Sequence, residues 1–336
     1  MDAASLGLIV NPTAGLGALH GERAARAAIA ALRPRRVLAG AGALGENAVD
    51  DADRLELVSP DGATGRAATQ ALAVATARAG VDVLVVVGGD GTLADAALAL
   101  HLAGLRCPLL GVGTGSTNAG ALVTCRAEKA ATLAPARLRA RPVAGLRAQV
   151  GDVVALAFND VVVGTTVVGT LDGDFVDLDA AAYLRGERRR GRPVALACAE
   201  ARVVRRGPDG DLLVAAGDAV GGVVVGFTDK VDAFGQALVG GVSLSRWVGV
   251  PAGCLVSSFP LVFAGYDRTD HRRMEPLRTA YVGLAPEQEI ELTGLGAGAF
   301  LCADGNPLRA LAPGDVARVR VLPGVVDVVR MDEGPQ

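Results

Sequence analysis

Through roughly the first 145 residues, short unbroken apolar runs alternate with longer Ala-rich stretches, and Gly, Pro or Asn marks most of the changes. Leu6–Val10 is a short apolar run ended by Asn11-Pro12, the pattern of a buried parallel strand running into a turn. A loop with Gly15 and Gly17 follows, and His20–Leu32 reads as a helix that stops before Pro34. Arg54–Val58 reads as a second strand, Gly65–Ala79 as a helix closed by Gly80, and Val81–Val87 as a third strand. Next come a turn at Gly88–Thr92, a helix from about Leu93 to Leu102, and a strand at Pro108–Val112. Alternating strands and helices of these lengths predict a doubly wound α/β sheet.

Beyond about residue 145 helical patterns become scarce and short β-rich runs separated by glycines take over. Strands are expected within Asp152–Phe158, Val161–Thr166, Val194–Val204, Leu212–Ala215 and Gly221–Phe227. Val316–Leu322 alternates as a half-exposed strand does, and Val325–Arg330 is a further apolar run. The fold class expected is therefore α/β: a doubly wound domain over residues 1–145, a β-rich domain over 146–315, and a C-terminal segment, 316–336, able to return to the first domain.

Composition narrows the function classes. With 51% hydrophobic and 21% charged residues the chain can bury two cores of ordinary size. A formal charge of −3 without a long basic run argues against nucleic acid or an anionic membrane as the main target, so phosphate groups must be met locally. The five cysteines are far apart and in apolar surroundings, which fits reduced buried thiols and neither a disulfide framework nor a zinc site. No basic region followed by an apolar stretch opens the chain, and no run of roughly 18 apolar residues follows. A soluble, cytoplasmic protein without a membrane span is expected.

The chemistry is concentrated at strand ends. Gly88-Gly89-Asp90-Gly91-Thr92 follows a buried strand and leads into a helix. Glycines let backbone amides approach phosphate oxygens, the helix offers its positive end, and Asp90 is held where it can reach a hydroxyl or Mg²⁺. Phosphoryl transfer needs mainly positioning and charge stabilisation, so this set is sufficient as a nucleus. The plainer reading is a capped strand-to-helix turn. The second element, Gly111–Gly120, is dense in glycines and hydroxyls: Gly113, Thr114, Gly115, Ser116, Thr117 and Asn118 could line a nucleotide site or form an ordinary loop. No Walker A loop is present, and the GxGxxG fingerprint is absent at the first strand.

Together with Asn11–Gly15, Phe158-Asn159-Asp160 and Asp304-Gly305, these motifs occur in an order that resembles NAD kinases and their diacylglycerol-kinase relatives, most nearly the ATP-NAD/AcoX branch. The resemblance implies an α/β nucleotide-binding domain followed by a β-rich acceptor-binding domain. It also implies ATP-dependent, Mg²⁺-assisted phosphorylation of NAD, or of a related hydroxyl compound, by a chain whose relatives are commonly homo-oligomers. Carried over residue by residue, Asp90 matches the carboxylate that contacts the ribose 2′-hydroxyl and assists its deprotonation. Asn159 and Asp160 match the pair that binds the dinucleotide; Gly88, Gly89, Gly91 and Thr92 would line phosphates; Asn11 matches a residue near the triphosphate in the lipid kinases. Asp304 belongs to an Asp-Gly turn shared by both branches and reads equally as an ordinary hairpin turn.

The Thr-x-x-Gly-Ser-Thr-Ala-Tyr stretch of ordinary NAD kinases has no counterpart here, which leaves the acceptor open. A lipid kinase and a nucleotide-binding regulator without turnover remain alternatives, as does polyphosphate as donor. No metal ligand is assigned. His20, His101 and His271 share no metal-like spacing, Trp247 reads as packing, and the arginines from Arg185 to Arg192 read as a solvated loop.

Overall fold

The computed structural model describes residues 4–59, 61–115, 120–228, 238–240, 249–265 and 276–332; Ser116, Thr117, Asn118, Trp247 and His271 lie outside them. The chain divides into two units, one comprising Met1–Ala144 with Pro323–Gln336, the other Gly145–Leu322.

In the first unit the strands are β1 (Ser5–Val10), β2 (Arg36–Gly40), β3 (Leu55–Val58), β4 (Val83–Gly88), β5 (Leu109–Gly113), β6 (Val123–Arg126) and the start of β7 (Leu138–Val150). The helices are α1 (Ala18–Leu32), α2 (Gly65–Arg78) and α3 (Asp90–Leu102). The sheet order β3-β2-β1-β4-β5 is parallel throughout and reverses direction between β1 and β4. That reversal is the topological switch point of a doubly wound sheet, where loops at the strand C-termini open a crevice. β4 is buried along its whole length, as a parallel strand covered by helices on both faces must be. α1 buries Gly21, Ala24, Ala25, Ala28 and Leu32, one stripe at helical spacing. α3 is buried nearly all round from Thr92 to Leu100, and its Asp95 is paired with Arg66 of α2 at 2.6 Å.

The second unit is built from antiparallel pairs. After β8 (Val153–Ala157), β9 (Asp160–Gly164), β10 (Thr166–Leu171), β11 (Asp174–Asp179) and α4 (Ala180–Leu184) come β12 (Arg202–Arg206), β13 (Leu212–Ala216), β14 (Gly222–Phe227) and β15 (Ala252–Ser257). They are followed by β16 (Thr279–Leu284), β17 (Glu289–Thr293), β18 (Phe300–Ala303), β19 (Asn306–Ala310) and β20 (Ala317–Met331). One sheet runs β16-β15-β14-β9-β18-β19. Val167, Val176, Leu178, Ala180, Phe300 and Cys302 form a core beneath it.

Several sequence expectations change. Arg36–Gly40 is a strand, an apolar run too short to stand out after Pro34-Arg35. α3 begins at Asp90, so Asp90, Gly91 and Thr92 form its first turn and Gly89 caps it. Within Val194–Val204 the strand starts only at Arg202, because Ala201 closes a turn onto Cys198 and Leu196 donates to Gly221. The runs Val316–Leu322 and Val325–Arg330 belong to one strand, which passes through Pro323, a residue without an N–H, and Gly324 at φ 56°. Among the cysteines, Cys107, Cys125, Cys254 and Cys302 are buried and all five are free, but Cys198 is partly exposed and donates to Glu200. Burial pushes the Cys107 and Cys125 thiols up to about 11. No helix among the described residues is long and apolar enough to cross a membrane.

Candidate functional site

In the first unit three chain segments meet at the switch point. Asn11 leaves β1 and donates its backbone N–H to Val87 at 2.9 Å, and Thr114 leaves β5 and donates to Gly88 at 2.9 Å. The ends of the three adjacent strands are thereby locked side by side. The Asn11 side chain is engaged at both ends: its Nδ2 donates to Thr92 Oγ1 at 2.8 Å, and its Oδ1 accepts from the Thr13 N–H and hydroxyl at 3.0 and 2.9 Å. Asn11 thus ties the loop after β1 to the first turn of α3.

Gly15 sits at φ 55°, and a Cβ there would lie 1.6 Å from the Thr114 carbonyl oxygen. Only glycine permits that approach of the two loops. Thr114 itself is 6% exposed, and its hydroxyl is buried without a partner. A buried hydroxyl left unsatisfied costs about 1–3 kcal/mol, so this atom is suited to a ligand oxygen. Asp90 stands at the positive end of α3 and accepts the Gly120 N–H at 3.2 Å on one carboxylate oxygen. Asn11, Gly88, Gly89, Asp90, Gly91, Thr92, Gly113, Thr114 and Gly115 are therefore gathered in one unit at one edge of the sheet.

Residues that sequence reading passed over support this edge. The Arg330 guanidinium donates to the Ala121 and Val123 carbonyls, and the Thr124 hydroxyl accepts from Gly111 N–H and donates to Val329. Burial holds the Arg330 guanidinium below its ordinary range. The only available signal was an arginine at the end of the apolar run Val325–Arg330, which reads as an exposed position.

Asn159, Asp160 and Asp304 lie together in the second unit. Asn159 joins β8 to β9, and both it and Asp160 are 7% exposed. The Asn159 Oδ1 is buried and has no partner. Asp304 and Gly305 form the two-residue turn between β18 and β19, at φ 45° and 73°. Asp-Gly favours that turn, so the hairpin reading of Asp304 holds. Its carboxylate does more: it turns inward and accepts the N–H groups of Phe158, Asn159 and Asp160 at 2.7, 2.8 and 3.1 Å. The residue as a whole is partly exposed at the hairpin tip while the carboxylate is enclosed. Burial first, and the neighbouring Asp160 charge second, push the Asp304 carboxyl up to about 7 against the opposing pull of the three N–H groups.

The arginine run is paired. Arg185 meets Glu187, Arg189 meets Asp179, Arg190 meets Asp174, and Arg188 lies over the Tyr183 ring at 4.0 Å.

Comparisons with known proteins agree with this architecture. Residues 6–140 match the family model of the ATP-NAD kinase N-terminal domain. An uncharacterised protein of Archaeoglobus fulgidus is 33% identical over 250 residues, 74% of this chain and 74% of that protein. Yeast NADH kinase, solved with NADH, shares the fold at a TM-score of 0.55 and 14% identity, over 98% of this chain and 84% of that one. A diacylglycerol kinase from Bacillus anthracis is similar at a TM-score of 0.51 and 15% identity, over 98% and 97% of the two chains.

Proposed function

From the premise that the chain belongs to the superfamily of NAD kinases and diacylglycerol kinases, we propose that it transfers the γ-phosphoryl group of ATP to the adenosine-ribose 2′-hydroxyl of NAD. The observation that carries the donor side is the buried, partnerless Thr114 hydroxyl at the glycine-lined edge that also holds Asp90. In this reading Gly88, Gly89, Gly91 and the Gly113–Gly115 backbone bring phosphate oxygens close, and the α3 terminus contributes its positive end. Asp90 accepts the hydroxyl proton or orients the hydroxyl, and needs proximity more than an altered acidity to do so. Asn159 and Asp160 bind the acceptor, and the orphan Asn159 Oδ1 is an acceptor for a nucleotide donor group. Mg²⁺ would neutralise phosphate charge, held chiefly by phosphate oxygens and water, since among the described residues no three His, Cys, Asp or Glu side chains form a metal-binding group.

An acceptor screen tests this reading. Purified protein with Mg²⁺ and either ATP or polyphosphate is offered NAD, NADH, nucleosides, polyols and lipid vesicles, with donor consumption and NADP formation recorded. NADP formation is expected. Donor consumption with lipid alone moves the acceptor to the lipid class, and binding without turnover makes the chain a nucleotide-responsive regulator.

Thr114→Val supplies a sharper check of the donor edge. Removing a buried hydroxyl that has no protein partner leaves stability unchanged or slightly raised. The same change raises KM for ATP by about 5–100-fold, the equivalent of one lost ligand hydrogen bond. Urea unfolding and steady-state kinetics on one preparation separate the two effects.

A further inference from the structure

We infer that Asp304 is a positioning residue: its carboxylate, receiving three consecutive N–H groups from Phe158 to Asp160, fixes the backbone that presents Asn159 and Asp160 to the acceptor. The inference rests on the proposed function only in taking Asn159 and Asp160 as acceptor-binding residues.

Three observations carry it. The amides of Phe158 and Asn159, at the junction between β8 and β9, lie just outside the strand pairing, and the carboxylate of Asp304, one residue past the Ala303–Val161 pair of the adjacent strand β18, accepts them instead. The link is reciprocal, because the Asp304 N–H donates to the Asp160 carbonyl at 3.0 Å. The clamp is itself rigid: Asn306 Nδ2 donates to the Asp304 carbonyl at 3.1 Å, Tyr183 donates to Asn306, and the hairpin turn holds Asp304 at φ 45°. A group that fixes three successive amides leaves the intervening side chains few orientations, the condition for a preorganised binding pair. The partnerless Asn159 Oδ1 is one of those side-chain atoms.

Protonation adds a signature. The charged neighbour of the carboxyl is Asp160 on β9, which raises it; Cys302 on β18 stays neutral because burial pushes its thiol up to about 12, and the Tyr183–Asn306 link ends on the Asp304 backbone carbonyl, not on the carboxyl. With the carboxyl held up to about 7, its contribution to stability is full below the ordinary carboxylate range and is lost as pH rises through about 7.

The test compares wild type with Asp304→Asn and Asp304→Ala. Asn tolerates the left-handed turn but offers one acceptor oxygen in place of two. Hydrogen–deuterium exchange in the peptide covering residues 156–162 is expected to speed up by about tenfold or more in both variants, with β14 and β15 protected as before. KM for the acceptor is expected to rise by about tenfold while kcat changes by less than about threefold. The change in unfolding midpoint between about pH 5 and 8 flattens in Asp304→Asn. A kcat collapse at unchanged KM would make Asp304 a catalytic group and overturn the inference, as would unaltered exchange at residues 156–162. If wild type forms no NADP, the NAD reading fails by itself; exchange still decides the clamp, and KM is read for whichever acceptor consumes ATP.

Discussion

Asp90→Asn lowers kcat for phosphoryl transfer by about 10²–10⁴-fold, the range supplied by a positioned acid–base group, and leaves the fold intact. The amide can keep one oxygen on the Gly120 N–H, where the carboxylate now accepts at 3.2 Å, so the loop after β5 retains its anchor. The lost negative charge at the first turn of α3 costs about 0.3–1 kcal/mol at most, a small stability change. The measurement is NADP formation under saturating ATP and NAD, with circular dichroism and unfolding midpoint as controls. Turnover equal to wild type removes Asp90 from the chemistry and leaves it as a loop anchor.

Gly111→Ala destabilises the protein by about 2–4 kcal/mol, the scale of a clash in a packed interior. A Cβ at this position would lie 2.2 Å from the Leu122 carbonyl oxygen and 3.0 Å from a Leu93 methyl. The first neighbour is backbone, and that backbone is held by Arg330 on both sides of Leu122, so it has little room to yield. Urea titration reads the loss as a lower midpoint at unchanged slope. Unlike Asp90→Asn, the variant loses stability first and activity as a consequence. An unchanged midpoint would mean that β5 and the Leu122 segment move apart freely.

Much of this site is legible in the sequence because the switch point is built locally. Each of β1, β4 and β5 is an apolar run that ends in turn residues, so the positions of Asn11, Gly88–Thr92 and Gly113–Gly115 follow from strand ends alone. The parallel sheet is legible for the same reason, since buried parallel strands need no alternation. What stayed hidden depends on contacts distant in sequence. Asp304 shows itself as a hairpin residue because Asp-Gly is a turn signal, whereas its bonds to residues 158–160 span roughly 145 positions that no local pattern reports. Arg330 looks like a surface position for the same reason. Arg36–Gly40 is missed because five residues carry little periodicity, and the start of α3 is misplaced because glycine and aspartate at 88–91 signal a turn more strongly than a first helical turn.

The return of Pro323–Met331 to the first unit has a consequence for how the protein is made. During synthesis the strands β1 to β6 leave the ribosome well before the segment that completes their unit. Until then β5 lacks its partner at Val328, Thr124 lacks the Val329 carbonyl, and the Ala121 and Val123 carbonyls lack Arg330. A nascent chain thus carries an unfinished edge beside β5, completed only once Pro323–Met331 has been translated.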